Sequence, residues 1–333
     1  MERICCIILN YNDAPTTMGL VNELGKSRVL SHIVVVDNHS TDDSWGQLHE
    51  LQHFGGQFPG EQYPGQRFDG WKPGQVPVTC IRTEKNGGYG SGNQEGIDYA
   101  SERLAPDYIV IANPDIHVSD ECLSRVKEAL GKSETGAVAS AMVVSPGGQP
   151  LFSYWNLLPL WKELLDTGLI TRRIFKGWLS TPPWKLKMDG ACDGQDKPEK
   201  NGNESANVRQ VGAVPGSFFM IKMSCFTSDE RKNLFDKQVF LYCEEKILGQ
   251  KLKEKGLTEL LVTDTSYVHA HSVSIDKSIS SIGDKQKILH ESKLYYFKNY
   301  LHAGPWKMVV ARAFLAAVLA EVRFLTEVLR MRW

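Results

Sequence analysis

Four consecutive β-branched residues, Ile33-Val34-Val35-Val36, break off abruptly into Asp37-Asn38-His39-Ser40-Thr41-Asp42. An apolar run without polar alternation reads as a strand buried on both faces, the kind found in parallel sheets. Ligands of open parallel sheets bind in the crevice beyond the carboxyl ends of the strands. A cluster of hydrogen-bonding side chains at that end is therefore placed like a binding site. The arrangement recurs: Ile4–Leu9 runs into Asn10-Tyr11-Asn12, and Tyr108–Ala112 into Asn113-Pro114-Asp115. Three buried strands deliver polar groups to one edge.

Residues 1–145 alternate strand-like and helix-like segments, which predicts a doubly wound α/β sheet. Strands are expected at 4–9, 33–37, 78–82, 108–112 and 137–143, and helices at 15–25, 91–103 and 119–131. Phe54–Pro77, rich in Gly, Pro and Gln, breaks the pattern and reads as an inserted surface loop. Residues 146–275 form a second half, interrupted by the polar stretch Met188–Asn207, which has little to bury and is expected to be disordered. Leu151–Lys187 carries Trp155, Trp161, Trp178 and Trp184, half of the eight tryptophans. A small aromatic core is the default explanation; a sugar-stacking or membrane-interface surface is the alternative.

A net charge of −1 excludes the basic excess of a nucleic-acid binder. The seven cysteines (5, 6, 80, 122, 192, 225, 243) form no C-x-x-C pair, and Cys5-Cys6 lies inside an apolar strand. Buried free thiols in a reducing cytosol follow. Only Met1-Glu2-Arg3 precedes the first strand, too little for a signal peptide. The region 276–333 differs in charge. From Lys277 onward there are ten Lys/Arg against four Asp/Glu, whereas the rest of the chain, by difference from 38 and 39, holds 28 against 35. Within it Met308–Val322 is apolar apart from Arg312 and Glu321, shorter than a spanning helix requires. Two readings stand side by side: a basic amphipathic helix lying on an anionic membrane surface, or a terminal helix packed on its own domain or on a partner subunit. Glu321 on the apolar side opposes deep insertion.

Lys85-Asn86-Gly87-Gly88-Tyr89-Gly90-Ser91-Gly92-Asn93 follows the third strand and opens a helix. Glycines let the backbone approach a ligand, and a helix N-terminus favours an anionic group. The G-x-G-x-x-G dinucleotide fingerprint fails at Glu95, and no Gly-Lys-Ser/Thr follows, so neither common nucleotide loop is present. Asp115 offers a carboxylate to a hard divalent ion, which takes few protein oxygens and completes its shell with phosphate. Val214-Pro215-Gly216-Ser217-Phe218 reads as a tight turn entering a strand. Phe240-Leu241-Tyr242-Cys243-Glu244-Glu245 sets two acids at the start of a helical stretch, Lys246–Lys255. Such acids either cap the helix or, facing a hydroxyl, act as general base. His269 and His271 follow the apolar strand Leu260–Val262.

In this order the motifs resemble the family 2 glycosyltransferases, particularly their rhamnosyltransferase-like bacterial branch, over about residues 1–300. The resemblance implies a GT-A fold, with a mostly parallel central sheet flanked by helices, and here a C-terminal amphipathic helical tail. It implies an inverting transfer from a UDP- or dTDP-linked sugar to a saccharide acceptor in cell-surface polysaccharide synthesis. A lipid-diphosphate-linked acceptor at the inner face of the membrane is expected. By the same resemblance Asn10, Tyr11, Asn12, Asp37, Asn38, Asn86, Gly88, Gly90, Asn93 and Asn113 line the nucleotide-sugar pocket. Asp115 and His269 hold Mg²⁺ or Mn²⁺, and Glu245, beside Glu244, is the catalytic base. Two departures stand out. The family's Glu-Asp/Glu-x-Asp-Leu-x-x-Arg becomes Glu244-Glu245-Lys246-Ile247-Leu248-Gly249-Gln250-Lys251, so Ile247 replaces an acid and Lys251 an arginine. Asn113 stands where some relatives have Asp, leaving one carboxylate for the metal. The rival reading is a catalytically inactive nucleotide-sugar-binding module, which would keep the strands and lose the acids. Asp37, Asp115 and Glu245 are all retained.

Overall fold

The computed structural model describes residues 2–50, 75–175, 179, 207–270 and 282–325. Most of the 54–77 and 188–207 segments, Trp178, Trp184, Cys192, His271 and the last eight residues lie outside that description. β1 (Ile4–Asn10), β2 (His32–Asp37), β3 (Val78–Arg82) and β4 (Tyr108–Ala112) run parallel in the order β3-β2-β1-β4. Both faces of these strands are covered, which is why they read as unbroken apolar runs. Ile4, Cys6 and Ile8 pack into one core with Ile33 and Val35, while Cys5 and Ile7 pack into the opposite one with Val34 and Val36.

Helix α1 (Ala14–Leu24), the short α2 (Ser44–His49) and α4 (Asp120–Lys132) contribute Leu20, Val21, Leu48, Leu123 and Val126 to the first core. Helix α3 (Gly88–Arg103) covers the second. It starts three residues earlier than the sequence pattern predicts. Its glycines do not break it because they are its contact face: a Cβ at Gly92 would lie 2.4 Å from Leu9, and one at Gly96 2.6 Å from Ile7.

Beyond β4 the sheet turns mixed. β8 (Phe218–Lys222) pairs antiparallel with β4 and with β6 (Gly136–Val144). β6 in turn lies parallel to the long β9 (Thr258–His269), whose far edge pairs antiparallel with the two-residue β5 (Ile116–His117) and with β7 (Val208–Val211). Strand β8, late in sequence, thus sits centrally between two early strands, and both halves of the chain share one sheet. The described cysteines are free thiols, all buried except the half-buried Cys225.

A third core joins the C-terminal helices to this sheet. It gathers Leu164 of α5 (Leu160–Thr167), Ile247 of α8 (Glu244–Glu254), Tyr296 and Phe297 of α9 (Ile282–Asn299), and Met308, Ala311 and Leu315 of α10 (Pro305–Arg323). The two smaller helices are α6 (Leu169–Ile174) and α7 (Ser228–Arg231). Ile247, the departure from the family pattern, is buried in this cluster. At its edge Glu163 is fully buried, with Lys246 Nζ 2.5 Å from one carboxylate oxygen and Lys293 Nζ 3.3 Å from the other. Burial pushes this carboxyl up, but the two lysines outweigh it and hold it below the ordinary carboxylate range.

Removing one partner of a buried pair leaves uncompensated charge and costs about 3–5 kcal/mol. Glu163→Ala, which strands two lysines, is expected to lower the urea unfolding free energy by that order. Because the folded-state pKa is depressed, this stabilisation is present above about pH 4.3, the unfolded glutamate value. It disappears as pH falls through the lower folded value, so the gap between wild type and variant closes in acid.

Candidate active site

Parallel register places Asn10 beside Asp37 and Asp37 beside Arg82 at the ends of β1, β2 and β3. Asp37 is fully buried. It accepts from Asn10 Nδ2 at 3.0 Å, from Ser40 N at 3.2 Å and Ser40 Oγ at 2.5 Å, and faces Arg82 Nε at 3.2 Å. Its carboxylate is therefore satisfied from within and acts as the floor of the crevice. Asn12, in the left-handed region at φ 53°, accepts from Thr41 N at 2.8 Å, tying the first strand's turn, which includes Tyr11, to the second. Asn38 donates to Asn86 Oδ1 at 2.9 Å and to the Gly88 carbonyl at 3.1 Å. The glycine turn is thus fastened directly to the end of β2.

From there the loop reaches the acids. Gly88 has φ +86°, and a Cβ on it would meet the Phe240 carbonyl oxygen at 1.8 Å; Tyr89 N donates to that same oxygen at 3.0 Å. A Cβ on Gly90 would lie 3.5 Å from Glu244 Cγ. Asn93 is buried, donates to the Tyr89 carbonyl at 3.1 Å, and leaves its Oδ1 without a hydrogen-bond partner. Glycine is needed at 88 because the loop carrying the acids packs against this backbone, whereas a Cβ at 90 would make ordinary van der Waals contact.

Glu244 and Glu245 open α8 after two residues in the left-handed region, Tyr242 (φ 73°) and Cys243 (φ 70°). Such non-glycine positions cost of order 1–3 kcal/mol each and persist where surrounding contacts over-determine them. Here Ser292 Oγ of α9 donates to the Leu241 carbonyl at 2.6 Å, while Tyr295 and Tyr300 donate to Asp236 at 2.8 and 2.6 Å. Glu245 Oε1 accepts from Gly216 N at 3.3 Å, and Tyr89 Oη donates to the Gly216 carbonyl at 2.5 Å. Burial pushes both carboxyls above the ordinary range, and Glu244 further, since Glu245 also repels it. Glu244 Oε1 has no hydrogen-bond partner, whereas Glu245 has the Gly216 amide and the nearby Lys246 charge. Both carboxyls thus hold their protons to higher pH than an exposed glutamate does, Glu244 more strongly than Glu245.

The Pro-Gly turn also reaches the third strand end. Asn113 N donates to the Ser217 carbonyl at 2.8 Å, and Ser217 Oγ lies 2.6 Å from Tyr267 Oη. Two residues on, Asp115 is buried with Oδ1 lacking a hydrogen-bond partner, and His269 Nε2 lies 3.4 Å from that oxygen. Pairing of Ile116 with His269 across β5 and β9 brings them together. Among the described residues no three His, Cys, Asp or Glu side chains form a metal cage. An orphaned carboxylate oxygen beside an imidazole fits a hard divalent ion whose remaining ligands come from phosphate.

Sequence patterns left out four members of this site. Arg82 partners Asp37 only through strand register. Ser40 closes the Asp37 network. Tyr89 braces Gly216, and buried Glu259 accepts from Val214 N at 2.7 Å behind the same turn, its carboxyl pushed well up by burial. Trp155, paired through its backbone with Ala213, brings Phe152 and Tyr154 alongside that turn, with Phe152 and Tyr154 stacked at 6.2 Å.

Residues 5–178, just over half of the chain, match the family described as Glycosyl transferase family 2. Two N-acetylglucosaminyl-diphospho-decaprenol L-rhamnosyltransferases of Mycobacterium tuberculosis, from strains CDC 1551 / Oshkosh and ATCC 25618 / H37Rv, are 22% identical over 239 residues, 69% of each chain. GalNAc-T7, solved with UDP, GalNAc and Mn²⁺, superposes with a TM-score of 0.53 at 13% identity. That likeness covers 89% of this chain, which spans half of the GalNAc-T7 chain. The mannosyltransferase PcManGT from Pyrobaculum calidifontis, in complex with GDP-Man and Mn²⁺, superposes with a TM-score of 0.50 at 14% identity, over 96% of this chain and 76% of that one. At these identities the two structures speak to the fold, which is GT-A. The sequence match begins inside β1 and runs through all three polar strand ends, so this chain belongs to glycosyl transferase family 2 and is a glycosyltransferase similar to the rhamnosyltransferases.

Proposed function

We propose that the enzyme moves a sugar, with inversion, from a UDP- or dTDP-linked donor to a saccharide acceptor carried on a lipid diphosphate, in the synthesis of a bacterial cell-surface polysaccharide. One observation carries the reading most directly: the glycine turn beyond β3, the Gly216 turn and the Glu244–Glu245 pair are in mutual contact. The nucleotide side and the acid side thus meet at one place. The relatives named above act on, by their names, an N-acetylglucosaminyl-diphospho-decaprenol acceptor, which supports the lipid-linked acceptor class.

In this reading the strand-end turns Asn10–Asn12 and Asn38, with Asn86, Gly88, Gly90, Asn93 and Asn113, shape the donor pocket over the Asp37 floor. Glu245 accepts the proton of the acceptor hydroxyl while that oxygen attacks the anomeric carbon. The bond from that carbon to the diphosphate oxygen breaks, and the nucleoside diphosphate leaves with the bonding pair. Glu244, neutral, keeps a second negative charge away from the base. Gly216 N–H orients the Glu245 carboxylate, and Tyr89 fixes Gly216. Asp115 and His269 are the residues that would hold Mg²⁺ or Mn²⁺, whose chemistry when bound is to neutralise charge on the departing diphosphate. The aromatic group at Phe152, Tyr154 and Trp155, tied through Trp155 to Ala213 just ahead of the Gly216 turn, supplies apolar faces for the acceptor saccharide.

General-base assistance contributes about 10²–10⁴-fold. Glu245→Gln is expected to lower kcat by that order with nucleoside-diphosphate affinity unchanged. Near-normal turnover would remove Glu245 from the mechanism. In the wild type the acid limb of kcat/KM should lie above the ordinary carboxylate range, activity falling as pH drops through the raised value. In Gly216→Ala the new methyl would lie 2.8 Å from Glu245 Oε1. Displacing the base by a fraction of an ångström is expected to cost about tenfold or more in kcat, with little change in donor KM. Thermal stabilisation by UDP or dTDP in the presence of Mn²⁺ or Mg²⁺ reports donor binding without an acceptor. That metal-dependent gain should vanish in Asp115→Ala. A wild-type protein that responds to no nucleoside diphosphate would instead be read as an inactive module.

A further inference from the structure

Helix α10 has two apolar faces, and among the described residues only one is covered. Met308, Ala311, Leu315, Val318 and Val322, spaced alternately by three and four residues, are its buried side. On the opposite side Trp306 is 75% exposed and Val309 58%, with Val310 and Phe324 also exposed. At 100° per residue these four, with Ala313, Ala316, Ala317 and Ala320 between them, span an arc of about 120° containing no charged side chain. Arg312 and Arg323 stand on one shoulder of that arc; on the other, half-buried Glu321 comes first, about 20° beyond Val310, and Lys307 follows it, so the rim is basic with one acid in it.

A second exposed apolar group lies beside the first. The α5–α6 corner rides on the flank of α10: a Cβ on Gly168 would lie 3.1 Å from Phe314 and 3.5 Å from Val318. That corner exposes Ile170 (61%) and Ile174 (68%), along with Trp161 and Phe175. Eight of the eleven exposed large apolar side chains among the described residues therefore belong to these two packed elements. Basic residues frame this group too, at Lys162, Arg172 and Arg173. Contiguous apolar exposure of this kind marks an interaction surface. Tryptophan and aliphatic residues rimmed by Lys and Arg match the interface of an anionic bilayer. No helix among the described residues is long and apolar enough to cross a membrane, so the fitting geometry is a helix lying in the interfacial plane.

We propose that the outer face of α10 and the adjoining α5–α6 corner form one composite surface that docks the enzyme on an anionic lipid bilayer. The surface is made by two segments about 140 residues apart in sequence. Through Glu163, Lys246 and Lys293 the same α5 is joined to the helix bearing Glu245.

The test is co-sedimentation of the full chain with vesicles of phosphatidylcholine alone or with phosphatidylglycerol, without donor or acceptor. Its failure would therefore leave the proposed transfer untouched, and the reverse also holds. Binding should be stronger to the anionic vesicles by on the order of tenfold and weaken with salt. The exposed pairs Trp306→Ser with Val309→Ser, and separately Ile170→Ser with Ile174→Ser, should each lower vesicle binding by on the order of tenfold with unchanged melting temperature. Absence of binding to either vesicle overturns the proposal. Wild-type binding by the Ile170/Ile174 variant overturns the composite surface. A lipid-free dimer in sedimentation velocity, lost in the Trp306/Val309 variant, would reassign the face to a second copy of this chain.

Discussion

The Asp37 carboxylate is the interaction on which the crevice depends. A fully buried anion is tolerated only when its lone pairs are filled, and here the donors come from the ends of three adjacent strands. Asn10 arrives on β1, Arg82 on β3, and Ser40 on the turn that follows β2. Satisfying one charge therefore fixes where three strands stop and how their turns leave the sheet. Asn38, next in sequence, carries that order outward to Asn86 and the glycine turn. The glycine-turn side of the crevice is organised from beneath.

The side carrying the acids is organised from the opposite direction, by packing. β8 enters the sheet antiparallel between β4 and β6, which sets the Val214–Ser217 turn beside Asn113. Helix α9, through Ser292 and Tyr295, and Tyr300 just after it then clamp the loop before Glu244, holding Tyr242 and Cys243 in a costly left-handed conformation. The departures from the family pattern belong to the same device. Ile247, where relatives carry an acid, is buried against the C-terminal helices, and Lys246 binds the buried Glu163. Lys251, where relatives carry arginine, donates to the carbonyls of Asn233 and Leu234. The helix bearing the acid pair is thus set by the C-terminal region rather than by the sheet alone.

Much of this was legible in the chain itself. The strands β1 to β4 and β6 were readable because burial on both faces demands uninterrupted β-branched and aliphatic runs, and the polar strand ends because nothing else explains Asp and Asn there. The start of α3 was misplaced by three residues, since glycines at 88 and 90 look like loop until the Phe240 carbonyl and Glu244 are seen pressed against them. Arg82, Tyr89 and Glu259 carry no local signal: each joins the site through a partner 45 to 127 residues away, and periodicity does not see such distances.

Local chemistry, in short range, determined the buried strands, their polar ends, the glycine turn and the acid pair, because each needs only neighbouring residues to be recognised. Only the tertiary structure decided that the glycine turn touches the acids, that Glu245 receives the Gly216 amide while Glu244 Oε1 has no hydrogen-bond partner, and that Asp115 meets His269. For α10 the division is plainest. Sequence showed an apolar helix with arginines along one line and left open whether it packs or lies on a surface. Burial of Met308, Ala311, Leu315, Val318 and Val322 spends one face on the enzyme's own core and leaves the other exposed. Hydrophobicity is scalar along a chain; which side of a helix meets water is set by what folds against it.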